Sequence, residues 1–188
     1  MAPFKAGLIG TRKICDIYLK NCVRFLEPSI AVFGSSNPTE SQQKAARFGV
    51  PRIVHPDEII NDPNIDCILN LTIPAAHAEV SLWALHADKH VYSEKLFAAN
   101  CADAQSILYL AQDKNLLVGN APDTFLGGCW QIVRRMIDTG VIGDVTGCMV
   151  FIGTHGVERH HPNLDFYYQE GGGPLLDLGL YYLIVMVF

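Results

Sequence analysis

Short runs of consecutive apolar residues alternate with helix-spaced patterns through the first two thirds of the chain. The runs lack polar–apolar alternation, which is typical of parallel strands covered by helices on both faces. Strands are predicted at residues 5–10, 29–33, 52–54, 66–71, 90–92 and 116–119. Helices are predicted at residues 12–25, 38–48, 56–61, 74–87 and 102–114. Repeated strand–helix–strand units of this kind predict a doubly wound α/β sheet.

The pattern changes after Pro122, so the chain divides into residues 1–121 and 122–188. In the second part we predict a helix at 128–139, a strand at 144–153, a polar loop at 154–173 and an apolar helix, or helix plus strand, at 175–188. A chain normally ends on a solvated segment. The apolar end therefore predicts an incomplete second α/β domain, which either associates with another copy or is poorly ordered.

Composition and charge exclude several classes of function. The chain has 188 residues, of which 49% are hydrophobic and 18% charged, so it can bury a substantial core and should not be disordered. Its net charge of −5, with scattered lysines and arginines, argues against nucleic acid as a partner. The sequence shows no signal-peptide pattern, and no apolar run reaches membrane-spanning length, so we expect no membrane partner.

The cysteines and histidines predict a metal-free protein in a reducing cytoplasm. The cysteines form no C-x-x-C pair, which favours free thiols over disulfides or a zinc site (Cys15, Cys22, Cys67, Cys101, Cys129, Cys148). His155, His160 and His161 fall in the predicted polar loop without an acidic ligand at regular spacing. We predict that they are solvated or face a substrate, and that the chain binds no metal.

The turn after the first predicted strand carries half of a dinucleotide-binding pattern. Such a turn needs glycine for the tight bend, for approach of the pyrophosphate and for helix packing. Gly10 fills the first place, whereas Arg12 and Cys15 occupy the second and third. Cysteine is small enough for its place, but the Cβ of Arg12 takes space that a phosphate needs and disfavours a positive φ. Alone, this half-motif fits an ordinary strand–helix turn equally well.

The acidic residue that usually binds the ribose hydroxyls of NAD is missing where the second predicted strand ends. Ser35 and Ser36 stand there instead. They could accommodate a ribose 2′-phosphate without repulsion, and Arg12 could pair with it. The alternative is a simple polar turn with a solvated arginine. We therefore expect no strong preference for NAD over NADP. We also expect Arg12 to weaken the binding of either dinucleotide.

Four further stretches resemble segments of the family named after glucose–fructose oxidoreductase, inositol dehydrogenase and the rhizopine-catabolism protein MocA. Residues 70–77 resemble its strand-end segment under the nicotinamide, and residues 93–96 its E-K-P motif, with Leu96 in place of proline. Residues 119–125 resemble its crossover into the second domain. Residues 171–181 resemble its glycine–aspartate segment, with Tyr181 in place of histidine. The stretches occur in the order that the family has them.

This resemblance implies a Rossmann domain at 1–121, followed by part of a substrate and oligomerisation domain at 122–188. Members of the family are usually NAD(P)-dependent dehydrogenases or reductases of sugars and polyols, and are often oligomeric. The resemblance therefore implies an enzyme with NAD or NADP as cofactor, a sugar- or polyol-like substrate and a homo-oligomer. It also implies that about half of a typical member is absent after residue 188.

The resemblance also assigns the site residues. Lys95, at the sheet edge where doubly wound folds bind ligands, would hydrogen-bond the substrate hydroxyl and help move its proton. Asp177 and Tyr181 are four residues apart, so on a helix they share a face, which the resemblance places in the substrate pocket. The predicted catalytic residues are Lys95, Asp177 and Tyr181. The predicted cofactor-binding residues are Gly10, Thr11, Arg12, Lys13, Ile14, Ser35, Ser36, Asn70, Thr72, Pro74, His77, Glu94 and Lys95.

A second hypothesis comes from another class of protein. The chain could be a non-catalytic homologue that keeps the fold, has lost tight cofactor binding through Arg12 and serves as a binding or interaction module. The altered turn and the apolar end favour this hypothesis, whereas Lys95 and Asp177 favour an enzyme. Binding of NADH or NADPH would separate the two.

Overall fold

The computed structural model describes residues 4–25, 29–153, 155, 156, 158, 164–168 and 172–188. It divides into two compact units, Met1–Ala121 and Pro122–Phe188. That the first unit serves dinucleotide binding and the second substrate binding and oligomerisation stays a prediction. No helix in the described ranges is both long enough and apolar enough to cross a membrane.

The first unit is built on a parallel sheet with the strand order β2-β1-β3-β4-β5. The strands are β1 (Lys5–Ile9), β2 (Ser29–Gly34), β3 (Cys67–Asn70), β4 (His90–Ser93) and β5 (Val118–Asn120). The helices are α1 (Cys15–Arg24), α2 (Pro38–Phe48), α3 (Pro56–Ile60), α4 (Pro74–His86) and α5 (Cys101–Asp113). The chain reverses its direction across the sheet between β1 and β3. This confirms the doubly wound α/β fold, and such a reversal is where these folds open a ligand crevice.

The sheet has a hydrophobic core on each face. Ile68 and Leu69 are adjacent in β3, so their side chains point to opposite faces, and both are buried. Ile68 belongs to one core together with Ile107 of α5, and Leu69 to the other together with Leu19 of α1. Burying a side chain of this size contributes about 2 kcal/mol to stability. The unbroken apolar runs in the sequence are explained by this two-sided burial.

Helix boundaries follow the capping residues. The side chain of Asn37 accepts the backbone N–H of Glu40 at the start of α2, and that of Asn100 accepts the N–H of Asp103 at the start of α5. Gly49 ends α2 in a left-handed conformation. Each N-cap contributes about 1 kcal/mol, so these helices begin where their asparagines stand.

One predicted strand is reduced to a single bridge. In the segment 52–54, only Ile53 pairs in parallel, with Phe33 of β2. Pro51 lacks a backbone N–H, and Pro56 already starts α3. The short stretch between two prolines therefore leaves no room for a full strand.

All the regular elements that the structure describes in the second unit are helical or helical turns. It contains a 3₁₀ turn (Thr124–Leu126), α6 (Gly128–Asp138), α7 (Leu164–Tyr168) and a π-helical turn (Leu175–Gly179) that runs into α8 (Leu180–Val187). The prediction of a strand at 144–153 is wrong, because that segment forms no ladder with any residue the structure describes. An isolated strand cannot satisfy its backbone groups, so the apolar pattern alone does not produce one. His160 and His161 of the predicted polar loop lie outside the described residues.

Candidate functional site

The turn between β1 and α1 is built around Gly10. This residue has a φ of +119°, and a Cβ placed on it would lie 2.3 Å from the backbone oxygen of Leu71. Its N–H donates to the carbonyl of Gly34 at 2.9 Å, and the N–H of Leu71 donates to the carbonyl of Ile9 at 2.8 Å. The ends of β2 and β3 therefore hold the turn on both sides, and only glycine fits there.

The two non-glycine residues of the turn behave differently from each other. Cys15 is fully buried and packs in the core that contains Leu8 and Leu19, which is the close-packing role predicted for the third place of the motif. Burial raises the pKa of the Cys15 thiol to about 12, so the thiol stays protonated and serves packing. Arg12 is exposed. In the described residues, only Asp88 and Asn115 combine a side chain with a positive φ, so Arg12 does not carry the backbone strain that its place in the motif suggested.

A cleft of about 630 Å³ opens beyond the carboxyl ends of β1, β2 and β3. Its volume is in the range of small-molecule sites, and it lies at the reversal of strand order where doubly wound sheets bind ligands. The predicted cofactor residues that line it are Gly10, Thr11, Arg12, Ser35, Ser36 and Thr72. Lys13 and Ile14 are exposed just before α1, and neither of them lines the cleft.

The cleft also brings in residues that the sequence analysis missed. Glu40, His55, Asp57 and Trp83 all line it. The hydroxyl of Thr11 donates to Oε2 of Glu40 at 2.9 Å, which ties α2 to the Gly10 turn. The signal for Glu40 was present in the sequence, because an N-cap at Asn37 places it in the first turn of a helix that follows β2.

Ser35 is engaged in shaping the turn after β2. Its hydroxyl accepts the backbone N–H of Asn37 at 3.0 Å and lies 2.9 Å from the hydroxyl of Ser41. Ser36 is exposed beside it. The predicted contact of these serines with a ribose phosphate stays a prediction.

Asn70 and His77 form a buried network below the cleft. The amide of Asn70 donates to the carbonyl of His77 at 2.9 Å and to the hydroxyl of Ser81 at 3.2 Å. Its carbonyl oxygen accepts the hydroxyl of Thr72 at 2.6 Å. The ring of His77 contacts the backbone oxygens of Leu96 and Thr72. These bonds join the loop after β3 to the loop after β4, so both residues position the site, while their contact with a cofactor stays a prediction.

The backbone at Lys95 is held from several directions. Oε2 of Glu94 accepts the N–H of Lys95 at 3.0 Å, and Oε1 of Glu94 accepts the hydroxyl of Tyr18 at 2.9 Å. The amide of Asn120 donates to the carbonyls of Ser93 and Glu94 at 3.0 and 2.9 Å. Tyr18 and Asn120 were not singled out in the sequence, because their link to Glu94 depends on tertiary contacts. Lys95 itself is half-buried at the carboxyl end of β4.

The remaining predicted residues are placed as follows. Pro74 begins α4. In the second unit, Asp177 lies in the π-helical turn and Tyr181 in α8. The N–H of Asp177 donates to the carbonyl of Gly173 at 2.9 Å. The catalytic roles of these two residues stay predictions. In the part of the chain that is described, no group of three or more histidine, cysteine or acidic side chains could hold a metal.

His77 predicts a pH dependence of stability. Burial lowers its pKa from the ordinary value of 6.5, against the opposing effect of the two carbonyls, so the unfolded chain binds its proton more readily. The free energy of unfolding should therefore fall as the pH drops below about 6.5, by at most about 1.4 kcal/mol per pH unit from this group. Urea unfolding of wild type and His77→Gln between pH 5.5 and 7.5 measures it. The exposed-histidine variant His86→Gln should keep the wild-type slope, and an unchanged slope in His77→Gln would refute the assignment.

Known proteins of similar sequence include a described family and several reductases. A family described as "Oxidoreductase family, NAD-binding Rossmann fold", GFO_IDH_MocA, matches residues 4–121. The dTDP-3,4-didehydro-2,6-dideoxy-alpha-D-glucose 3-reductase of Saccharopolyspora spinosa is 31% identical over 95% of this chain and 54% of its own length. The 1,5-anhydro-D-fructose reductase of Ensifer adhaerens is 26% identical over 92% of this chain and 52% of its own. The chain thus spans about half the length of these relatives.

Solved structures share the fold. An NAD-binding protein from Listeria innocua superposes with a TM-score of 0.80 and 19% identity, over 100% of this chain and 53% of its own. A 3-ketoreductase from Actinomadura kijaniata, in complex with TDP-benzene and NADP, gives a TM-score of 0.70 and 23% identity over 76% of this chain and 45% of its own. At these identities the likeness establishes the fold alone.

Proposed function

The chain belongs to the Gfo/Idh/MocA oxidoreductase family, which has an NAD-binding Rossmann fold, and from this premise we propose an NAD(P)-dependent oxidoreductase. It would transfer a hydride to or from a carbon of a sugar- or polyol-like alcohol or ketone. The substrate class is supported by the relatives, which include reductases of a deoxysugar nucleotide and of anhydrofructose.

One observation carries this proposal. The cleft at the Gly10 turn and the loop that bears Lys95 lie at the same edge of one sheet, beyond the carboxyl ends of parallel strands. The network of Asn70 and His77 links the loop after β3, which lines this cleft, to the loop that bears Lys95. A bound dinucleotide needs its pyrophosphate held at the glycine turn. It also needs its nicotinamide ring close to a side chain that can donate or accept a proton. The cleft volume of about 630 Å³ and its mixture of glycine backbone, hydroxyl and charged groups fit such a ligand.

The residues would divide the work as follows. Backbone amides of the Gly10 turn and of the first turn of α1 would bind the pyrophosphate, and Arg12 would pair with its charge. A bound nicotinamide ring supplies or accepts the hydride. Lys95, as a neutral amine, would take the hydroxyl proton of an alcohol substrate and, as an ammonium group, return it in the reverse direction. Asp177 and Tyr181 would contact the substrate.

Nucleotide binding tests the proposal directly. We expect the purified chain to bind NADH or NADPH, which fluorescence titration measures. We also expect it to oxidise or reduce the dinucleotide when keto-sugars or polyols are added. Absence of binding for both dinucleotides would contradict the proposal. That result would favour the non-catalytic binding module instead.

We further propose a homo-oligomer in the cytoplasm. Large apolar side chains of the second unit are exposed, including Met149 at 93% and Phe151 at 90%, and such surfaces often mark interfaces. The cysteines are free thiols, as expected in a reducing compartment. Light scattering of the purified chain measures its mass, and a strictly monomeric protein would contradict the oligomer.

A further inference from the structure

The cleft contains acidic side chains, although the sequence at the end of β2 offers none. Two carboxylates, Glu40 and Asp57, line it together with a single guanidinium, Arg12. The sequence places Ser35 and Ser36 where an NAD-binding fold usually has an acidic residue. A few residues further along the chain, Glu40 of α2 brings a carboxylate to the lining of the same cleft.

Glu40 is fixed next to the turn that would hold the nucleotide. Its Oε2 accepts the hydroxyl of the buried Thr11 at 2.9 Å, and Thr11 directly follows Gly10. Its backbone N–H donates to the N-cap side chain of Asn37 at 3.3 Å. A carboxylate can accept about four hydrogen bonds over its two oxygens, so the bond from Thr11 leaves capacity for ligand hydroxyls.

We propose that Glu40 makes this site selective for NAD over NADP. This inference rests on the proposed function, namely that the cleft takes a dinucleotide. The half-buried carboxylate accepts hydrogen bonds from the hydroxyls of the adenosine ribose, and its negative charge opposes a 2′-phosphate at the same place. The opposing charge of Arg12 is on an exposed residue, where solvent and salt screen it more strongly. This proposal differs from the prediction made from Ser35 and Ser36 alone, which was that the site has no strong preference between NAD and NADP.

The test compares the affinities of NAD and NADP by calorimetry. We expect wild type to bind NAD at least ~10-fold more tightly than NADP, because a hydrogen bond to a charged group is worth roughly that factor. In Glu40→Gln, NAD should bind about 10-fold more weakly and NADP more tightly, so that the preference for NAD falls by more than ~10-fold. Glu79→Gln makes the same charge change on an exposed residue of α4 outside the cleft lining, and should keep the wild-type ratio.

A second variant tests the role of Glu40 without changing Glu40 itself, in case Glu40→Gln does not fold. Thr11→Val removes the hydroxyl that orients Glu40 but keeps the charge. It should weaken NAD binding while NADP stays weak. Thermal unfolding confirms that each variant is folded.

The results distinguish a failure of the Glu40 role from a failure of the dinucleotide site. Binding of NADP as tight as that of NAD in wild type, or an unchanged ratio in Glu40→Gln, overturns the role of Glu40 and leaves the dinucleotide site standing. Failure of wild type to bind either dinucleotide overturns the proposed function, and with it the selectivity.

Discussion

Replacing Lys95 with alanine is expected to lower turnover by at least ~100-fold, the usual cost of losing a positioned proton-transfer group. Dinucleotide affinity should change far less, because the cleft at the Gly10 turn is lined by other residues. The Lys95 backbone should stay in place, since Glu94 holds its N–H and Asn120 holds the two preceding carbonyls. The measurement is kcat with a keto-sugar or polyol that the chain accepts, beside the Kd for NADH.

Two variants make the Lys95 experiment specific. Lys20→Ala removes an exposed lysine of α1 and should leave kcat unchanged. Lys95→Arg keeps the positive charge but cannot act as a neutral amine at ordinary pH, so it should restore little of the lost turnover. An active enzyme that is indifferent to Lys95→Ala would remove this residue from the mechanism.

The fold could be predicted from the sequence because local and global signals agree. Residues 67–69 form a short apolar run, and β3, which contains them, is buried on both faces. Asn37 and Gly49 mark the two ends of α2, which the structure bounds at the same place. The segment 144–153 has a similarly apolar pattern but forms no strand. A strand needs a neighbouring strand, and that condition is absent from any local pattern.

The candidate site could be predicted only where the residues lie next to each other in the chain. Gly10 and Cys15 were identified through the spacing of one turn, and the structure gives them the expected geometry. Glu40 and Tyr18 were missed, because Glu40 meets Thr11 across 29 positions and Tyr18 meets Glu94 across 76. Pairs at such separations are made by the sheet order, which periodicity does not specify.

Gly10→Ala is expected to destabilise the first unit by about 3 kcal/mol or more, through positive-φ strain and overpacking together. The new Cβ would lie 2.3 Å from the carbonyl oxygen of Leu71, which is backbone and cannot rotate away. Relief requires β1 and the loop after β3 to separate. That movement also breaks the bond between the Gly10 N–H and Gly34 and deforms the cleft, so dinucleotide binding should be lost as well.

Gly49→Ala separates the two causes of this loss. Gly49 also has a positive φ, of +69°, but a Cβ there would meet nothing within 4 Å. It should therefore cost only the conformational penalty of about 1 kcal/mol and leave dinucleotide binding intact. Urea unfolding of both variants gives the comparison. If Gly10→Ala lowers the free energy of unfolding by no more than Gly49→Ala does, the contact with Leu71 does not constrain the turn. Glycine would then be required at position 10 by its backbone conformation alone.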